Sequence, residues 1–189
     1  MNDVLKKVWT YLKKDTWDAW LVSLCLIIIG IKFIFFPLLS IITQAPLPLV
    51  VIESCSKYHN ANFDNWWERN AVWYESKNIT LEDFKEFNLK NGLNKGDIAF
   101  VWGRGTISKG DVIIFNAQIR HPIIHRVVSE HPLGTKGDNE MTNSDQLQSE
   151  KDIPSDAVIG KAVARVPLLG WVKLIFFEPL RPKHERGLC

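Results

Sequence analysis

Cysteine is scarce in this 189-residue chain: Cys25, Cys55 and Cys189 are the only three, and none stands in the C-x-x-C spacing of a zinc site or a redox pair. Charge of one sign is lacking too. The 23 Lys and Arg against 21 Asp and Glu leave a formal net charge of +2, and no long Lys/Arg run occurs, so a nucleic-acid partner is not expected. There is no internal repeat and no low-complexity stretch. Hydrophobic residues make up 46% of the chain, which argues against disorder and allows one ordinary domain plus a membrane anchor.

What the chain does have is one long apolar run, from Ala19 to about Ile42. A bilayer core of about 30 Å needs about 20 apolar residues in a helix, so the length fits a span. Trp17 and Trp20 stand at its start, where amphipathic rings favour the interface. Lys32 interrupts it, and snorkelling of its long stem toward an interface is the expected accommodation. Pro37 is expected to kink or end the helix. The run is longer than the apolar core of a cleavable signal sequence, and no clean A-x-A site follows it. Lys6, Lys7, Lys13 and Lys14 precede the run, and Lys57 is the first Lys or Arg after Lys32. The positive-inside rule then predicts a cytoplasmic N-terminus over residues 1–18, a single anchor over 19–42 and an extracytoplasmic domain over 43–189.

The outer part opens with a Pro46-Leu47-Pro48 link into Leu49-Val50-Val51-Ile52, a β-branched run that reads as a strand. Residues 59–92 differ: their spacing is helical, and Thr80 stands where it caps a helix with Asp83 in the first turn. They read as a helical insertion in a β-rich domain. Strands return at 97–102, 111–115, 123–128 and 157–166. The fold class expected is therefore mainly β, a small coiled barrel or sandwich with a helical insertion and one N-terminal transmembrane helix. The apolar run 168–177 is too short to span a bilayer and reads as a last core strand or an interfacial segment.

For chemistry, Ser56 follows the first strand, and a serine attacks an acyl group only when a base accepts its proton. His125 lies inside an apolar strand, where a titratable side chain is least expected, and a half-buried imidazole facing a serine is what acyl transfer needs. Asp138 and Asp145, in the polar stretch that begins at Thr135, are the carboxylates available to orient that imidazole. Ser54, two residues before Ser56, shares its face on an extended strand and is placed to help the Ser56 N–H bind an oxyanion. Each of these signals is weak by itself.

Their order along the chain is not weak. Ser54-Cys55-Ser56 after a Pro-containing link and a Val/Ile strand, Gly110-Asp111-Val112-Ile113, His125-Arg126-Val127-Val128, Thr135-Lys136-Gly137-Asp138-Asn139 and Val158-Ile159-Gly160-Lys161 follow one another behind an anchor. In that order they resemble the boxes of signal peptidase I in its archaeal and endoplasmic-reticulum branch, where the base is a histidine. The resemblance covers the anchor, residues 46–57 and residues 108–172. It implies a membrane-bound serine endopeptidase that removes signal peptides from exported preproteins, with Ser56 as nucleophile, His125 as base, Asp145 or Asp138 behind it, and Ser54 in the oxyanion hole. It implies no metal and no cofactor. Signal peptides, membrane lipid and partner subunits are the expected partners. The expected site is the outer face of a cell membrane, or of the endoplasmic-reticulum membrane in a eukaryote. The family usually has Ser-Gly-Ser-Met; this chain has Cys55 and Lys57 in place of the glycine and methionine. Those two departures favour the alternative expectation, an inactive membrane-tethered β-domain that binds a partner.

Overall fold

The computed structural model describes residues 3–117, 119, 121–183 and 186–189. They form two compact units, one up to Ile42 and one over Thr43–Cys189.

In the first unit, helix α1 (Asp3–Leu12) buries no residue. The Tyr11 hydroxyl donates to Asp18 at 2.6 Å, tying α1 to the start of the next helix. That helix is one continuous element of 27 residues, Trp17–Thr43, long and apolar enough to cross a membrane. It comprises α2 (Trp17–Gly30), a wide π-helical turn (Ile31–Phe35) and α3 (Phe36–Thr43). Pro37 therefore does not end the helix. A proline ring collides with the carbonyl four residues earlier, here Phe33, and the widened turn lies where that collision would fall. Lys32 lies in the same turn, its Nζ 5.3 Å from the Phe33 ring.

The second unit is built on one antiparallel sheet of six strands: β1 (Leu49–Val51), β2 (Ile98–Trp102), β3 (Val112–Phe115), β4 (Ile123–Glu130), β5 (Leu133–Lys136) and β6 (Val158–Val166). Their order across the sheet is β1-β2-β6-β3-β4-β5. Register shifts at Phe100/Val101, Ile114/Phe115 and Val127/Ser129 give it the coiling that bulges impose. Every residue of β3 is buried, because the sheet is covered on both faces. Val112 and Ile114 enter one core with Ile52, Leu93, Val101 and Ile124; Ile113 and Phe115 enter another with Val127 and Ile153. Each such fully buried aliphatic side chain contributes roughly 1.5–3 kcal/mol.

The insertion is helical as its spacing predicts, with α4 (Phe63–Glu75) and α5 (Leu81–Glu86). Thr80 caps α5 in a complete capping box with Asp83. Trp66, Trp67, Tyr74, Ile79 and Phe84 pack with Val128 of β4 as a third core. Two elements go beyond the sequence reading. Thr135 and Lys136 lie on β5, which pairs with the end of β4; Gly134, Thr135 and Lys136 are buried there. The run 168–177 forms no strand: its end is helix α6 (Trp171–Phe177), of which only Leu174 is buried. A single inward residue per two turns satisfies one face of a short helix, whereas a core strand buries every second residue.

Candidate active site

Ser56 leaves the sheet just after β1. Ile52 still pairs with Asp97, its N–H donating to the Asp97 carbonyl at 2.8 Å, and the chain then turns, the Tyr58 N–H donating to the Cys55 carbonyl at 3.1 Å. Among the described residues no backbone N–H from Glu53 to Lys57 makes a hydrogen bond, that of Ser56 included. The turn is held through its carbonyls instead. Asn139 donates its N–H to the Ser56 carbonyl at 2.9 Å and its Nδ2 to the Cys55 carbonyl at 2.8 Å. Leu93 N–H donates to the Lys57 carbonyl at 2.9 Å. Gly137 has to be small here: a Cβ would stand 2.8 Å from the Ser56 carbonyl oxygen. The Ser56 hydroxyl is half-buried and lies 3.2 Å from the Ser54 hydroxyl, so the two serines share one side although the segment is a turn rather than a strand.

His125 is buried on β4, opposite Ile113 of β3. Its Nδ1 meets the carboxylate of Glu150, and its Nε2 makes no hydrogen bond among the described residues. Glu150 is itself buried and fixed. One oxygen accepts from the Leu147 N–H at 2.7 Å, and the other accepts from the Thr135 hydroxyl at 3.2 Å. Successive strand residues point to opposite faces, so Arg126 goes to the other side of the sheet.

There Arg126 grips Asp138. Its Nη2 donates to Oδ2 at 2.8 Å, and its Nε lies 3.2 Å from both carboxylate oxygens. The rest of the guanidinium is taken up by the Asn88, Leu89 and Gly110 carbonyls. The Tyr74 hydroxyl donates to Asp138 Oδ1 at 3.1 Å, His59 Nε2 lies 3.3 Å from Oδ2, and Lys57 Nζ lies 2.6 Å from Oδ2. Burial disfavours the Asp138 carboxylate, but Arg126 and Lys57 outweigh it and hold the group well below the usual carboxylate range. Burial, with the Arg126 charge, pushes Lys57 down to about 7 against the pull of Asp138.

The two aspartates expected behind the histidine are thus elsewhere. Asp138 is engaged by Arg126, and Asp145 is exposed, accepting from Trp73 Nε1 at 3.0 Å and the Gln146 N–H at 2.8 Å. Neither touches His125; the carboxylate that does is Glu150. Nothing in its sequence marks Glu150 out, since Glu150-Lys151-Asp152 reads as a solvated charged run. Among the described residues no group of three or more His, Cys, Asp and Glu side chains is arranged to hold a metal ion.

The structure thus has a serine on a turn pinned by side chains and a histidine backed by a buried carboxylate, the residue types that acyl transfer by a serine nucleophile uses, behind a helix long and apolar enough to cross a membrane. Comparison with known proteins narrows the class. Over 164 residues the chain is 25% identical to the signal peptidase complex catalytic subunit SEC11 of Fusarium vanettenii, covering 80% of this chain and 77% of that one. It is 23% identical to the SEC11 of Neurospora crassa over the same length and shares. With the SEC11 of Scheffersomyces stipitis it shares 32% identity over 108 residues, 51% of this chain and 65% of the other. No family model matches the chain. The chain is a relative of the signal peptidase complex catalytic subunits, as its boxes imply.

Proposed function

We propose that this chain is a membrane-anchored serine endopeptidase that removes signal peptides from preproteins. The observation that carries the reading is the fixed His125–Glu150 pair in a chain related to the SEC11 catalytic subunits and bearing a serine at the family's nucleophile box. Ser56 Oγ attacks the scissile carbonyl and His125 Nε2 takes its proton. Glu150, on Nδ1, keeps the imidazole in the tautomer that presents a bare Nε2 and stabilises the charge that forms. On this reading substrate binding draws Ser56 Oγ from Ser54 to Nε2, a catalytic hydrogen bond that forms in the bound complex. The unengaged Ser56 N–H and the Ser54 hydroxyl then meet the oxyanion. Water hydrolyses the acyl-enzyme with His125 again as base, and the residues named need no metal or cofactor for these steps.

Residues 1–18 lie in the cytoplasm on this reading, the span crosses the membrane once, and the domain from 43 onward works on the far side. Lys6, Lys7, Lys13 and Lys14 support that orientation. So does the disulfide between Cys55 and Cys189, a bond that persists in oxidising compartments. In a eukaryotic cell the membrane is that of the endoplasmic reticulum, in company with other subunits. Lipid contact extends to α6, whose Val172, Ile175 and Phe176 are exposed. The test is cleavage of a preprotein in liposomes. Wild type should cut, and Ser56→Ala and His125→Ala should not while remaining folded; cleavage that survives Ser56→Ala removes the nucleophile.

A further inference from the structure

The residues just ahead of Ser56 are gripped by a part of the chain that the mechanism above does not use. Arg181 donates Nη1 to the Glu53 carbonyl at 3.2 Å and Nη2 to the Glu53 carboxylate. Lys173 Nζ donates to the other oxygen of that carboxylate at 2.9 Å. Burial alone would raise the Glu53 carboxyl, but Lys173 and Arg181 bring it below its ordinary value. Two residues on, Cys55 is joined to Cys189 by a disulfide. The gripping segment is moored in its own right. Gly170 N–H donates to the Gly96 carbonyl at 2.7 Å, Trp171 Nε1 to the Lys95 carbonyl at 3.1 Å, and the Glu178 carboxylate pairs with Lys95 and accepts from the Gly187 N–H at 2.8 Å.

These fastenings fall where the backbone is least able to hold itself. With no N–H from Glu53 to Lys57 bonded among the described residues, the turn has no ladder there to fix it. On one side the Asn139 contacts hold the Cys55 and Ser56 carbonyls. On the other, the Glu53 and Cys55 grips are the counterpart. We propose that residues 171–183, together with the Cys55–Cys189 link, are a strap that sets the position of the Ser56 hydroxyl, with Arg181 and that link as positioning groups. The proposal rests on Ser56 being the nucleophile. Cys55 then has a reason to stand where the family has glycine: it is the anchor point of the strap.

The experiment compares full-length wild type, Ser56→Ala, Arg181→Gln, Arg181→Lys and the double variant Cys55→Ser/Cys189→Ser in liposomes. Preprotein cleavage and hydrogen exchange at the Tyr58, Leu93 and Asn139 amides are read on each. A misplacement of about 1 Å costs up to about a hundredfold in rate, so Arg181→Gln and the double cysteine variant should each lose roughly ten- to a hundredfold in kcat with KM within about twofold. Arg181→Lys should recover most of the loss, because an ammonium still reaches the Glu53 carboxylate. Exchange at the Tyr58, Leu93 and Asn139 amides, which are bonded to the Cys55, Lys57 and Ser56 carbonyls, should quicken about tenfold or more in the two disabled variants while β3 and β4 stay protected. A kcat within twofold of wild type in both, or a loss that follows the melting temperature alone, overturns the strap. So does unchanged exchange at those three amides, whether or not the chain cleaves without other subunits. Cleavage surviving in Ser56→Ala marks the separate failure of the nucleophile assignment and takes the positioning role with it.

Discussion

Lys57 Nζ stands 2.6 Å from Asp138 Oδ2, and both side chains are wholly buried. The lysine occupies the position of the family's methionine, and its ammonium competes with the Arg126 guanidinium for one carboxylate. Removing one partner of a buried pair usually costs about 3–5 kcal/mol, because a bare charge stays behind. Here Asp138 would keep Arg126, Tyr74 and His59. Lys57→Met should therefore leave the unfolding free energy within about 1 kcal/mol of wild type, or raise it, whereas Arg126→Met should cost the full 3–5 kcal/mol. Denaturant unfolding in detergent, followed by tryptophan fluorescence, measures both.

The same lysine predicts a pH dependence. Its folded value of about 7 lies below the ordinary 10.5, so between those limits the unfolded chain binds the extra proton. Stability must then rise with pH from about 7 toward about 10. Lys136, also lowered by burial, adds in the same direction. Unfolding midpoints at several pH values should show the rise, and Lys57→Met should flatten it. Asp138 has the opposite limb: its lowered value gives stability that is present above the ordinary carboxylate range and lost as the solution is made acid.

Glu150→Gln keeps the shape of the side chain but removes the charge that orients His125. Loss of the orienting carboxylate in a serine protease costs up to about ten-thousandfold in kcat, so a fall of two to four orders of magnitude is expected. Asp145→Ala, at the exposed carboxylate bonded to Trp73, should stay within about twofold. Preprotein cleavage rates on the two variants decide between the carboxylates, and the reverse ranking would return the role to Asp145.

Ser54→Ala should lower kcat by roughly a hundred- to a thousandfold with little change in KM, the signature of a lost oxyanion donor. Ser54→Thr, which retains the hydroxyl, should recover a large part. A change confined to KM would show that the Ser54 hydroxyl meets the ground state alone.

The architecture was legible where local chemistry decides it. The apolar run, the Thr80 cap and the β-branched strands 98–102, 112–115 and 123–130 follow from spacing and turn residues. β5 was not legible, because Leu133-Gly134-Thr135-Lys136 carries no strand pattern and owes its conformation to pairing with β4 and to the Gln146, Glu150 and Ile153 contacts. The α6 helix was hidden for the opposite reason: an apolar run of that length fits a strand as well as a helix. Ser56, Ser54 and His125 were nameable as candidates from their boxes. Glu150 was not, because its burial comes from a turn that folds it back onto Thr135 and His125, a relationship carried by no motif. The Cys55–Cys189 link was equally silent, since two cysteines 134 residues apart announce nothing until the fold brings them together.

The helical insertion reaches into the middle of this network. Trp66 of α4 donates its indole N–H to the Asp138 carbonyl at 2.9 Å and stacks on His59 at 3.8 Å between ring centroids, and Tyr74 bonds the Asp138 carboxylate directly. Residues 59–92 are therefore not an ornament that a chimera can exchange for a short connection. Grafting such a connection would strip Asp138 of His59, Trp66 and Tyr74 and open the aromatic core beneath β4. Sequence drift in this stretch, His59 included, is tied to the fate of Lys57, and the two are expected to be inherited, or lost, together.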